Sequence, residues 1–259
     1  MYIFAHRGLK LVRPENTLEA FKAAADLGFG IELDVRLTKD GQLICLHNPD
    51  TEHITGTKLV VRESTVDQLQ QLDVKEPGYK IPRFLDVVEQ VMVNFKPGQK
   101  AAIHVKADEQ GEQQLAILLE TFKTYQLHDK ALLFDLTLES CQLIRNADPK
   151  IELAISVGEE NYSPTIYTLE QAMENLQLFD VVWWDEWKIP GSMYTKEIAE
   201  RIHSAGKRIY AISPELHTDH GHPHAKDGYQ QDWKNFIAWG IEGVCTAYPK
   251  GILTTSLVF

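Results

Sequence analysis

A few residues stand out by type and spacing: His6-Arg7 near the start of the chain, Glu32-x-Asp34, His47, and His104-x-Lys106. Residues i and i+2 of a strand share a face, so Glu32 and Asp34 point the same way, as do His104 and Lys106. Carboxylates turned into a strand-lined interior are costly unless they are paired. A divalent cation is one partner for them. Arg7, Arg36 or Lys106 are the other, and at this point both readings stand. A second cluster, Glu215-Leu-His217-Thr-Asp-His220-Gly-His222-Pro-His224, suits a second metal ion, a substrate contact, or a polar loop that holds no ion. Within it Glu215 and His217 lie nearest the preceding strand and are the first candidates for substrate contact. Trp183-Trp184-Asp185-Glu186-Trp187 closes another strand. Alternation sends one of Trp183 and Trp184 inward and the other toward a helix, and Trp187, past the strand end, is a candidate to line a pocket and pack on an alcohol or sugar.

Strands must hold these groups. Short β-branched or aromatic runs bounded by turn residues predict strands at 2–6, 30–35, 101–106, 131–135, 152–157, 180–185, 208–213 and 243–248. Helical patterns fall between them: one opens at Asn16 or Thr17 and stops at Gly28, and others cover 112–125, 138–146, 168–176, 195–205 and 230–239. Eight strands, almost all followed by a helix, predict an α/β fold of the closed (β/α)8 type, a TIM barrel. The active sites of such barrels lie at the C-terminal ends of the strands, where the residues above fall. Residues 44–47 form an extra strand joined to the second through Thr38-Lys39-Asp40-Gly41. Asp-Gly between strands signals a hairpin, so a β-hairpin flap follows strand two. Residues 48–83, the least patterned stretch, read as a small excursion at the barrel mouth. The last helix is rudimentary, and no linker or repeat divides residues 1–259, so one domain is expected.

The order and spacing of His6-Arg7-Gly8, Pro14-Glu15-Asn16-Thr17, Glu32-x-Asp34, Thr38-x-Asp40-Gly41 and His47 resemble the signature of glycerophosphodiester phosphodiesterases. Ile81-Pro82, the strand ending in Lys106, and residues 243–249 agree more loosely. The resemblance implies a barrel with one divalent ion, commonly Mg2+ or Ca2+, that hydrolyses phosphodiesters of glycerol to glycerol phosphate and an alcohol. It implies Glu32 and Asp34 as metal ligands, His6 and His47 as the general acid/base pair, and Arg7 and Lys106 as holders of the phosphoryl oxygens. A neighbouring glycerol hydroxyl is a candidate first nucleophile in that family, giving a cyclic phosphate. Three positions depart from the pattern. Where the family carries a glutamate ligand two residues before the lysine, this chain has His104. A nitrogen ligand favours Mn2+ or Zn2+ over Ca2+; the alternative is that His104 does not ligate and the site is weaker. Asn48 replaces an aspartate after His47, and Thr246-Ala247-Tyr248-Pro249 replaces Thr-Asp-Tyr-Pro, removing a carboxylate from the last strand. A modified specificity is expected. Two alternatives remain: a non-hydrolytic relative that binds a phosphorylated ligand, and a phospholipase D-like lyase acting on lipid diesters.

Composition bounds these readings. The chain has 259 residues, an ordinary length for a single α/β barrel. Its 26 Lys and Arg against 37 Asp and Glu give a formal charge of −11, which disfavours nucleic acid as partner but leaves a small phosphodiester substrate open. Cys45, Cys141 and Cys245 are far apart and read as buried thiols. The N-terminus has no basic segment followed by an apolar one, and no apolar stretch approaches a membrane span, so a cytoplasmic protein without stable membrane insertion is expected.

Overall fold

The computed structural model describes residues 1–75, 77–160 and 163–256. Its strands are β1 (Tyr2–His6), β2 (Gly30–Leu37), β3 (Leu43–Cys45), β4 (Ala101–Val105), β5 (Ala131–Phe134), β6 (Glu152–Val157), β7 (Ile166–Tyr167), β8 (Val181–Trp184), β9 (Arg208–Ile212) and β10 (Gly243–Thr246). The α-helices are α1 (Leu18–Asp26), α2 (Glu52–Thr55), α3 (Val66–Gln70), α4 (Phe84–Gln90), α5 (Glu112–Tyr125), α6 (Leu138–Ala147), α7 (Leu169–Met173), α8 (Lys196–Ser204), α9 (Tyr229–Ala238) and α10 (Pro249–Ser256). Eight strands run parallel in the order β1-β2-β4-β5-β6-β8-β9-β10, and β1 pairs with both β2 and β10, which closes the ring. This is the expected TIM barrel.

Alternation along each strand divides the core into two layers. Phe4, Ala102, Leu132, Phe134, Ala154, Val181, Trp183, Tyr210 and Cys245 fill the inside of the barrel. Trp183 stacks on Phe134 there, with ring centroids 4.0 Å apart. The intervening residues, among them Ile31, Leu33, Ile103, Leu133 and Trp184, pack outward against the helices. The two adjacent tryptophans thus part as the two-residue period requires: Trp184 lies against Tyr194 of the helical layer, at 5.0 Å between centroids. The N-terminal end of the barrel is closed by polar groups. Buried Lys100 pairs with Glu152, which also accepts from the Tyr210 hydroxyl at 3.0 Å and meets Arg208 at 3.0 Å.

The hairpin forms as expected. β3 runs antiparallel to β2 with Val35 opposite Cys45 and Leu37 opposite Leu43. The strand is shorter than the predicted 44–47 and ends at Cys45, so His47 sits just beyond it. Residues 48–83 carry α2, α3 and a 3-10 turn at Val61–Glu63, gathered around Ile44, Leu46, Ile54, Val61, Val66, Leu69, Val74 and Ile81. Elements of four or five residues are too short to display a helical period, which is why this small core escapes a pattern search. The same holds for α4 and for the two-residue β7, neither of which was anticipated. The final helix is short, as expected, at eight residues. No helix among the described residues is long and apolar enough to cross a membrane.

Candidate active site

The turn after β1 is built around two residues in the left-handed region. Arg7 has φ +55° and Asn16 has φ +54°. Between them Gly8 (φ +77°) lets α1 pack close, since a Cβ there would stand 2.7 Å from the backbone of Ala20. The Pro14-Glu15-Asn16-Thr17 segment wires this turn. Glu15 Oε1 meets the Arg7 guanidinium at 3.0 Å, Asn16 Nδ2 donates to Asp34 Oδ2 at 2.9 Å, and Thr17 caps α1 by accepting from the Ala20 N–H. Arg7 donates its backbone N–H to Glu32 Oε2 at 3.0 Å and brings its Nε to 3.4 Å from Asp34 Oδ2.

Glu32 and Asp34 point into the barrel together, as their spacing requires, and both are almost wholly buried at 2% and 1% exposure. His104 Nδ1 stands 3.0 Å from Asp34 Oδ1 and 4.0 Å from Glu32 Oε1. One donor atom from each of Glu32, Asp34 and His104 lies within 4.8 Å of the others. Lys106 Nζ is 2.6 Å from Asp34 Oδ1. Burial, then the neighbouring Asp34, raises the Glu32 carboxyl. Burial acts the same way on Asp34, but Lys106 and His104 outweigh it and hold that carboxyl well below its usual range. The pairing of these acids with Arg7 and Lys106 is therefore realised. Arg36 is engaged elsewhere: it donates to Glu109 at 2.7 Å and to the His47 carbonyl at 2.9 Å. Behind His104 stands Asp135 (φ +63°), which accepts from His104 Nε2 at 3.1 Å, the Ser156 hydroxyl at 2.7 Å and the Thr165 hydroxyl at 2.8 Å.

The two other histidines face the same cavity with opposite hydrogen-bonding patterns. Lys10 Nζ donates to His6 Nδ1 at 2.7 Å, an arrangement that leaves the ring proton on Nε2. His47 Nδ1 donates to Asn48 Oδ1 at 2.8 Å, which leaves Nε2 with a lone pair. Burial, then Lys10 and Arg7, pull His6 well below its ordinary pKa, and burial brings His47 down to about 4 against the pull of Asp34. Both shifts favour the neutral ring.

A cavity of about 410 Å³ joins these groups to a second wall made by β5, β6, β8 and the segment after β9. His217 Nε2 donates to Asp185 Oδ1 at 2.6 Å; burial works against the His217 proton, but Asp185 outweighs it and raises the pKa. Trp187 packs closely on Gly158, where a Cβ would come within 2.1 Å of its ring. Glu215 does not line the cavity. Its carboxylate accepts from the Ser213 and Thr246 hydroxyls and from the Ala247 N–H at 3.0 Å. Expected as a substrate contact, it instead joins the ends of β9 and β10 and returns a carboxylate to the strand end that Ala247 had stripped of one. Of the remaining histidines of that loop, His220 lines the cavity beside His217, with ring centroids 5.6 Å apart, while His222 pairs with Glu186 and His224 with Asp232; among the described residues they do not converge as metal ligands would.

His6, Arg7, Glu32, Asp34, His47, His104, His217 and Trp187 therefore meet around one cavity, with Lys106 against Asp34. Sequence reasoning missed Lys10, Asn16, Asp135 and Asp185. Asn16 and Asp185 stood inside motifs already noticed, whereas the turns that aim Lys10 and Asp135 leave no periodic signal.

Residues 6–250 match the model of the glycerophosphoryl diester phosphodiesterase family. A glycerophosphodiester phosphodiesterase of Bacillus altitudinis is 28% identical over 262 aligned positions, covering 95% of this chain and 94% of its own length. One from Caldanaerobacter subterraneus subsp. tengcongensis is 33% identical over 147 residues, 49% of this chain and 60% of that one. Among solved structures, a glycerophosphodiester phosphodiesterase of Thermotoga maritima aligns with a TM-score of 0.70 at 22% identity, over 99% of this chain and 98% of its own. A phosphodiesterase of Oleispira antarctica in complex with the product sn-glycerol-3-phosphate aligns with a TM-score of 0.77 at 18% identity, over 99% and 96%.

Proposed function

From a chain that belongs to the glycerophosphoryl diester phosphodiesterase family, and is thereby a phosphoric diester hydrolase, we propose a glycerophosphodiester as substrate and His6 and His47 as the acid and base that cleave it. The products are glycerol phosphate and an alcohol. The observation that carries this reading is the pair of opposite tautomers facing one cavity. His47 Nε2 takes the proton of the nucleophile, either a water or a neighbouring glycerol hydroxyl, while Asn48 holds Nδ1–H. His6 gives its Nε2 proton to the departing alkoxide oxygen, and the Lys10 ammonium behind Nδ1 replaces it. The ring thus passes a proton without ever becoming an anion. Proton transfers of this kind contribute about 10²–10⁴-fold each. Arg7 and Lys106 neutralise the phosphoryl oxygens.

Glu32, Asp34 and His104 fit a divalent cation: two buried carboxylates and one imidazole nitrogen converge. Asp135 accepting from His104 Nε2 turns Nδ1 toward the carboxylates, the arrangement that orients histidine ligands in metal sites. Bound there, a cation would act as a Lewis acid on a phosphoryl oxygen. The nitrogen in the set favours Mn2+ or Zn2+ over Ca2+. The product held by the Oleispira relative supports a glycerol phosphate half in the substrate. The departures from the family pattern leave the machinery in place, since Asn48 orients His47 and Glu215 stands in at Ala247. A hydrolytic enzyme is therefore favoured over a binding-only relative.

Purified protein with Mn2+ or Mg2+ should release glycerol phosphate from glycerophosphodiesters. His6→Ala and His47→Ala should each lower kcat at least about 100-fold with unchanged circular dichroism. Wild-type turnover in either variant refutes the assignment.

A further inference from the structure

β3 ends at Cys45, and the Leu46 N–H still donates to the Asp34 carbonyl of β2 at 3.1 Å. His47 is the next residue, where the chain leaves the barrel for the excursion. Its ring is bonded to Asn48, but Asn48 belongs to the same departing segment and moves with it. A tie to the barrel itself comes through the backbone: Arg36 Nε, on β2, donates to the His47 carbonyl at 2.9 Å. Arg36 is 5% exposed and is held in turn. Its Nη1 donates to Glu109 Oε1 at 2.7 Å, and the other oxygen of that carboxylate accepts from the Leu37 N–H at 2.7 Å. Buried Glu109 lies three residues beyond Lys106 in the turn after β4, and its own N–H donates to the Lys106 carbonyl at 3.0 Å. Arg62 of the excursion donates to the Asp108 carbonyl of the same turn at 3.4 Å. The end of β2, the exit that carries His47 and the turn that carries Lys106 thus meet at one ion pair.

A buried ion pair contributes little to stability beyond what apolar residues of equal volume would supply. What this one supplies is direction. The planar guanidinium aims Nε and Nη1 at two acceptors in a fixed fork, which a lysine ammonium does not reproduce. Displacing a reacting group by about 1 Å costs on the order of 10²-fold in rate. A base carried at the root of a departing segment is the group most exposed to that loss.

We propose that Arg36, braced by Glu109, is a positioning residue: it holds the backbone of His47 so that the imidazole meets the nucleophile, and makes no contact of its own with substrate. Neither Arg36 nor Glu109 lines the cavity. The assignment rests on the reading of His47 as the base.

The test is a double-mutant cycle in the full chain with saturating Mn2+. Its substrates are glycerophosphocholine and an aryl ester of glycerol phosphate, whose good leaving group needs no proton and so isolates the base. Arg36→Lys keeps a positive charge opposite Glu109 and should lower kcat about tenfold on both, with KM within about twofold. In a His47→Ala background the same change should cost less than about twofold more, because residues that act as one unit are not additive. A residue that only stabilised the barrel would multiply its loss onto that of His47→Ala. If Arg36→Lys does not fold, Glu109→Gln, which keeps an acceptor for the Leu37 N–H and loses the ion pair, goes through the same cycle. Wild-type kcat in the Arg36 or Glu109 variant beside a deficient His47→Ala, or losses that multiply in the double variant, overturns the proposal. Wild-type turnover in His47→Ala alone is instead the failure of the acid–base reading, and the positioning role falls with it.

Discussion

At the residue scale the site works through partners that hold its histidines. Lys10 is the least replaceable of them, because it donates to His6 Nδ1 and so fixes the tautomer on which the proposed proton transfer depends. Lys10→Met should lower kcat about 10–100-fold, with KM changed little, in steady-state kinetics on a glycerophosphodiester. The pH profile carries a second expectation. His47 acts as a base only when unprotonated, and with its pKa at about 4 the acidic limb of kcat/KM falls near pH 4. With the cation kept saturating, so that Glu32 stays ionised, activity should stay level from pH 5 to 7, where an unperturbed histidine would lose it; a limb near pH 6.5 that does not move with cation concentration would contradict the assignment. Much of this centre was readable beforehand. Glu32 with Asp34, and His104 with Lys106, share faces because strands alternate, and nothing in the tertiary structure was needed to say so. Lys10 and Asp135 were not readable. The first reaches back over one irregular turn, and the second depends on a left-handed backbone angle that its residue type does not announce.

At the scale of elements, the chain after β8 shows how a loop becomes a wall. Glu186, 1% exposed, collects the N–H groups of Gly191, Met193 and Tyr194 and the ring of His222, and so holds the segment that carries Trp187. Glu186→Ala leaves those donors without their acceptor and should cost at least about 2 kcal/mol, measured by urea denaturation. Glu186→Gln should cost less, since one acceptor oxygen remains. The barrel strands were legible because each is a compact apolar run between turn residues. The helices α5 and α6 were legible because they are long enough to show a period. The loop was not, because its order comes from a carboxylate meeting backbone groups five to eight residues later, and any acid in any loop looks the same on paper.

At the scale of the whole molecule, the charge of −11 and the site oppose one another. The surface repels an anionic diester at long range, so productive binding depends on the local cations and on the ion that the acidic centre fits. Occupancy by that ion should be visible without turnover. Mn2+ at about a hundred times its Kd should add about 2.7 kcal/mol to stability, raising Tm by several degrees in a thermal melt. The shift should vanish with chelator and in Asp34→Asn. One consequence of the excursion reaches beyond catalysis. The chain leaves the hairpin just past His47 and returns at Pro82, whose carbonyl accepts from the Cys45 N–H at 3.0 Å, and the stretch between rests on a core of its own. Small units of this kind open before the body they are attached to. On the acid–base scheme proposed above, the base hangs from that seam, so heating should silence turnover while the circular dichroism of the barrel persists, and cooling should restore it without the barrel having to fold again.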